Sequence, residues 1–209
     1  MPNLIPIDIL GHADFSARFK RSKDCPGLAA FGTQIDRIRE ANPTGTLLLD
    51  AGDEFCSKFW SGEQIVETLS VIKTDAMTLG NHEFDRGREF LESCVKQADF
   101  PILCANIVET ATGKLVKGTK PWVMLNRFGI KIGILGLTTE YTPFMVTASS
   151  FAPYKVRSSV ELCRKCIPEM REAGAKIIVV LTHFPFYIDV NGGLCGELYD
   201  VLTNSQQAD

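Results

Sequence analysis

The chain has 209 residues, 45% of them hydrophobic and 22% charged, with a net charge of −3 at pH 7. That size and apolar content suit one domain with a substantial core, while weak acidity and scattered Lys and Arg argue against a nucleic-acid duplex as partner. No run approaches the length of a membrane span, and seven cysteines at irregular spacing fit reduced thiols better than a disulfide framework.

The opening Met1-Pro2-Asn3-Leu4-Ile5-Pro6 lacks a basic n-region and a long apolar h-region. It does not read as a secretory signal, so a cytoplasmic setting is the default expectation. From there, short β-rich runs alternate with helical patterns. Strands are predicted over 5–10, 46–50, 75–79, 102–105, 131–137 and 176–181. Lys20-Arg21-Ser22-Lys23 reads as a solvated loop. Leu28, Phe31, Ile35 and Ile38 form the stripe of a helix over 27–41, and Ile65, Leu69 and Ile72 that of a second; a third begins near Arg86. The polar stretch 109–120 is expected as a surface loop, and Trp122 to Leu137 as a hairpin around Phe128-Gly129. The last helix opens on a capping box, Ser158-x-x-Glu161, and stops before Gly174, with Pro168 expected to break it or start a fresh turn. Within it, Cys163-Arg164-Lys165-Cys166 has metal or redox spacing. Val160, Cys163, Ile167 and Met170 nevertheless recur at helical intervals, which makes these thiols core packing. The βα alternation implies an α/β sandwich whose strands are buried on both faces. The polar end, residues 204–209, stops abruptly, as if in mid-fold.

Ligands of open α/β sheets gather beyond the carboxyl ends of strands. Here His12 and Asp14 follow the first predicted strand, Asp50 and Asp53 the second, Asn81 and His82 the third, and His183 the last. The densest of these is Thr78-Leu79-Gly80-Asn81-His82-Glu83-Phe84-Asp85. A Gly there permits a tight turn, so that Asn81 and His82 project together, and Asp85 can return to hold the imidazole and raise its pKa. Each residue also has a structural reading. Asp14 or Asp85 could cap a helix, Asp53 could belong to the Gly52 turn, and His183 could be a satisfied buried imidazole. Their joint appearance at successive strand ends favours a site. Its mixed oxygen and nitrogen donors suit Mn, Fe, Co or Zn, and a pair of such ions suits phosphoester hydrolysis.

The segments LLLDAGD (47–53), DAMTLGNHEFD (75–85) and IIVVLTH (177–183) together resemble the calcineurin-like metallophosphoesterases. The match is to the N-terminal catalytic domain of the 5'-nucleotidase and 2',3'-cyclic phosphodiesterase family, and it is collinear from about Ile7 to the chain end. The resemblance implies a four-layer α/β/β/α sandwich spanning 1–209 and two divalent metal ions. By position, Asp53 would bridge both metals, Asp14 would bind the first, and Asn81 and His183 the second. His82 and Asp85 would be the catalytic dyad, with metal-activated water attacking a phosphate ester, nucleotides first. Relatives of this kind are often extracytoplasmic.

Three departures accompany the resemblance. Ser16 stands where the family's Asp-x-His motif has its ligand histidine, although His12, two residues before Asp14, would share its face if the strand extends that far. Cys56-Ser57-Lys58 replaces the usual Gln-Gly-Ser or Gln-Gly-Thr. The family's Gly-His-x-His motif and C-terminal domain would fall past Asp209, which implies a domain incomplete at its C-terminus. The alternative function is therefore a noncatalytic or single-metal relative that binds a nucleotide or a partner protein.

Overall fold

The computed structural model describes residues 4–16, 18–56 and 60–204. In the first half β1 (Asp8–His12), α1 (Leu28–Ala41), β2 (Thr46–Asp50), α2 (Gly62–Val71), β3 (Ala76–Thr78), a single 3-10 turn at His82–Phe84, α3 (Gly87–Gln97) and β4 (Ile102–Leu103) follow one another. Then come β5 (Ile107–Glu109), β6 (Trp122–Arg127), β7 (Ile130–Thr138), α4 (Thr142–Met145), α5 (Ala148–Phe151), β8 (Tyr154–Val156), α6 (Ser159–Glu172), β9 (Ile177–His183), β10 (Tyr187–Ile188), β11 (Leu194–Cys195) and α7 (Glu197–Asn204).

Among the described residues, β1, β2, β3 and β4 lie side by side as a parallel sheet. A second sheet has β7 at its centre, antiparallel to β6 and parallel to β9. Side chains alternate along a strand, and the layers follow from that alternation. Leu47, Leu49, Ala76 and Leu103 of the first sheet meet Ile132, Ile134 and Leu181 of the second. On the outer face of the first sheet, Leu48 and Met77 pack under Ile35, Ile65, Leu69 and Leu91 of α1, α2 and α3. On the outer face of the second, Leu135, Leu137 and Ile178 pack against Leu162, Cys163, Ile167 and Met170 of α6. The result is the four-layer α/β/β/α sandwich. Gly136 sets the spacing of its centre, because a Cβ there would lie 2.3 Å from Leu103 Cβ.

Several expectations shift. β1 begins at Asp8 rather than at Ile5 and reaches His12, because its ladder partner β2 runs from Thr46 to Asp50. Pro168 sits inside α6 without ending it; Ile167 and Met170, both buried, hold the helix on the core across the missing hydrogen bond. Ser158 Oγ does accept from Glu161 N at 3.4 Å, but the reciprocal capping box is at α2, where Ser61 and Gln64 exchange bonds of 3.2 and 3.0 Å. The hairpin turns at Phe128 and Gly129, both at positive φ, which suits a two-residue connection. The 109–120 stretch is mostly loop, though Val116 is buried in the core. Cys163 and Cys166 are core residues, and all seven thiols are free. Among the described residues no helix is long and apolar enough to cross a membrane. Met1 to Asn3, Ser57, Lys58 and the end Ser205 to Asp209 lie outside the described residues.

Candidate metal centre

The strand ends bring Asp14, Asp53, Asn81, His82 and His183 to one open cleft, walled on its other side by Met145, Phe184 and Pro185. Asp53 is the hub. Its Oδ1 accepts from His82 N at 2.8 Å, and its Oδ2 lies 3.3 Å from His183 Nε2 and 4.0 Å from His82 Nε2. Asp14, Asp53 and His183 each offer a ligand atom within 4.8 Å of the others, a convergence that fits a divalent cation. The Asn81 side chain is buried, and its amide nitrogen has no hydrogen-bond partner among the described residues. A carboxamide not committed through its nitrogen can turn its oxygen to a cation, so Asn81 is available as an oxygen ligand.

Backbone geometry explains how these groups come to converge. Asp14, Ser16 and Asp53 have φ of 57°, 51° and 66°, in the left-handed region that non-glycine residues enter at a cost and that marks strained functional loops. Asp14 N donates to Gly52 O at 2.9 Å, tying the β1 loop to the β2 loop. Gly80 is required for closeness rather than for the tight turn expected of it, since a Cβ would lie 2.2 Å from Asp53 Oδ1.

The two histidines are each fixed by one nitrogen. His183 Nδ1 donates to Ala51 O at 2.8 Å, which leaves Nε2 facing Asp53. Burial works to lower the His183 pKa, but the bond to Asp53 and its charge prevail and hold it up at about 9. His82 Nδ1 lies 2.7 Å from Asp85 Oδ2. There, too, burial opposes protonation, and the Asp85 bond with the Asp53 charge raises the pKa. Asp85 therefore serves the imidazole and not a helix: α3 has Arg86 as its N-cap with no side-chain capping bond.

No family model matches the sequence. Over 178 residues the chain is 36% identical to the snake venom 5'-nucleotidase of Gloydius brevicauda, a match covering 80% of this chain and 29% of that protein. Human 5'-nucleotidase is 31% identical over 185 residues, covering 84% of this chain and 31% of the relative. Among solved structures, the calcineurin-like phosphoesterase YfkN from Bacillus subtilis aligns at 28% identity with a TM-score of 0.80, over 97% of this chain and 70% of that one. Over most of its length the chain is thus similar to 5'-nucleotidases and to a calcineurin-like phosphoesterase. It spans less than a third of the length of the two 5'-nucleotidases.

Within this 5'-nucleotidase homologue two features depart from the sequence reading. His12 does not stand in for the missing histidine. The strand ends at His12, and Asp14, at positive φ, breaks the two-residue alternation; His12 pairs in register with Asp50, on the face that carries Leu48. Ser16 Oγ is occupied with Asp53 O at 3.3 Å. The second feature is Glu83, which sequence reasoning passed over. Fully buried, it accepts from the backbone N–H of Asp53 and Gly80 at 2.8 and 2.6 Å through Oε2, and from Glu54 and Phe55 at 2.6 and 2.9 Å through Oε1. Burial and the neighbouring Asp53 charge raise its pKa against those bonds. One carboxylate thus clamps the β2 and β3 loops together. No residue pattern signals this, because the donors are main-chain groups.

Proposed function

We propose that the chain uses Asp14, Asp53, Asn81 and His183 to hold divalent metal and hydrolyses phosphate esters, nucleotides first. The observation that carries the reading is the position of the Asp53 carboxylate, buried between an imidazole with its tautomer set and a second carboxylate. When bound, divalent ions supply Lewis-acid polarisation of the phosphoryl oxygens and lower the pKa of water. Zn, Mn, Co and Fe all suit the donors. Asp53 would be the shared ligand, Asp14 would belong to the first metal, and Asn81 and His183 to the second. His82 is held in one tautomer by Asp85 and presents Nε2 on the Asp53 side, where it would steady the phosphoryl oxygens or protonate the leaving oxygen. The names of the relatives support a nucleotide as the ester.

The test is elemental analysis of the chain, and of any longer natural protein containing it, together with phosphate release from AMP. Bound divalent metal with hydrolysis that is lost on chelation supports the reading. Neither metal nor hydrolysis in either protein would falsify it.

Ser16 favours a second reading, a noncatalytic or single-metal relative, because its hydroxyl is occupied by the Asp53 carbonyl and the first metal keeps only carboxylate ligands from this region. Metal-dependent hydrolysis by the 209-residue chain itself refutes that reading. A Ser16→His variant that gains activity shows that the first site was limiting.

A further inference from the structure

The ends of β1 and β2 carry a second convergence of ligand atoms, separate from the centre above and on the helix-covered face of the sheet. His12, Asp50 and Glu54 each offer an atom within 4.8 Å of the others. Their side chains are 9%, 0% and 1% exposed. Both imidazole nitrogens, Asp50 Oδ2 and Glu54 Oε2 are buried without a hydrogen-bond partner among the described residues. Four such atoms on three neighbouring side chains are a large unmet demand, since buried polar groups are almost always satisfied.

The separations show what would meet it. His12 Nδ1 is 3.5 Å from Glu54 Oε1, and His12 Nε2 is 3.9 Å from Asp50 Oδ2, at or beyond the limit of hydrogen bonds. These two separations start from opposite ring nitrogens, only one of which can bind an ion; the fit to a common ion is that one atom from each of the three residues lies within 4.8 Å of the other two, against roughly 3.3–3.6 Å between the ligands of a tetrahedral ion. The carboxylates are also braced as ligands usually are. Asp50 Oδ1 accepts from Gly52 N at 2.8 Å and Glu54 Oε1 from Phe15 N at 3.2 Å. The imidazole is held edge-on against Phe31 of α1, with ring centroids 5.2 Å apart.

We propose that His12, Asp50 and Glu54 form a buried structural site for a divalent cation of the zinc class, distinct from the Asp14–Asp53–His183 group. One imidazole and two carboxylates supply the charge and the donor types, and the second oxygen of Glu54 or a water completes the shell. The ion would lock together the two loops that carry Asp14 and Asp53.

Two measurements test it. The Asp53→Asn variant, which removes the shared ligand of the proposed catalytic centre, is equilibrated with Zn2+, passed through gel filtration and assayed by elemental analysis. About one ion per chain should remain, and none after Glu54→Gln or Asp50→Asn is added. Independently of how any variant folds, crystals of the unaltered chain soaked in Zn2+ should give an anomalous peak within coordination distance of His12, Asp50 and Glu54. A peak at Asp53 and His183 with none at His12 overturns the proposal, as does a chain with no peak at all. A peak at His12 alone upholds it while counting against the phosphoesterase reading.

Discussion

His82 has one nitrogen committed to Asp85 and the other on the side of Asp53, so its loss should affect turnover rather than metal retention. His82→Ala is expected to lower phosphate release about 100-fold or more, with metal content per chain unchanged by elemental analysis. His183 behaves differently, because its proton depends on Asp53. In chelated protein its folded pKa of about 9 lies above the ordinary value of 6.5. Its contribution to stability is then fully present below about pH 6.5 and fades as pH rises through about 9. Urea melts of the EDTA-treated chain between those limits should show that decline, and His183→Gln should flatten it. At this scale five of the seven polar residues read at strand ends, Asp14, Asp53, Asn81, His82 and His183, reach the cleft, while His12 and Asp50, read with them, turn to the helix-covered face. His12, Asp50 and Glu54 were not assembled from it, because their convergence depends on how far β1 runs and which face it turns to the helices.

The loops after β2 and β3 are separate in sequence but share Glu83. Replacing it with Gln leaves one acceptor oxygen for donors that now occupy two, and sets an N–H2 against backbone N–H groups. Glu83→Gln should cost about 3 kcal/mol of unfolding free energy, read by urea denaturation in EDTA, and should weaken metal retention as Asp53 loses its brace. Among the elements, the long periodic ones were readable and their ends less so. α6 passes through Pro168 because buried neighbours on either side outweigh one lost bond. The ribbons β5 with β8 and β10 with β11 escaped notice. Two or three residues carry no period even where, as at Ile107 and Val108, they are buried, and Tyr187 and Ile188 are exposed.

Across the whole molecule the two sheets meet over an apolar seam that is tightest at Gly136. At the end away from the cleft, Arg127 of β6 donates to Thr46 O at 2.9 Å and is ion-paired with Asp75, which joins the sheets there as well. Gly136→Val should force the seam apart at Leu103 and cost about 3 kcal/mol, seen as a lower melting temperature. The α/β alternation implied an α/β sandwich, since an apolar run such as Leu47 to Leu49 of β2, buried along its whole length, needs cover on both sides. The pairing of two separate sheets, rather than one continuous sheet, rests on contacts that no local pattern encodes.

The bond from His183 to the Ala51 carbonyl spans 132 positions of chain. Ala51 follows a strand of one sheet and His183 ends a strand of the other, so this pair exists only once both halves have folded and docked. Closing so long a loop is slow and comes late in folding. The half ending at β4 already carries Asp14, Asp53, Asn81 and His82, but it cannot complete the cluster by itself. The proposed centre would therefore be complete only once the sandwich is shut, and regain of metal binding on refolding should report the docking of the two sheets.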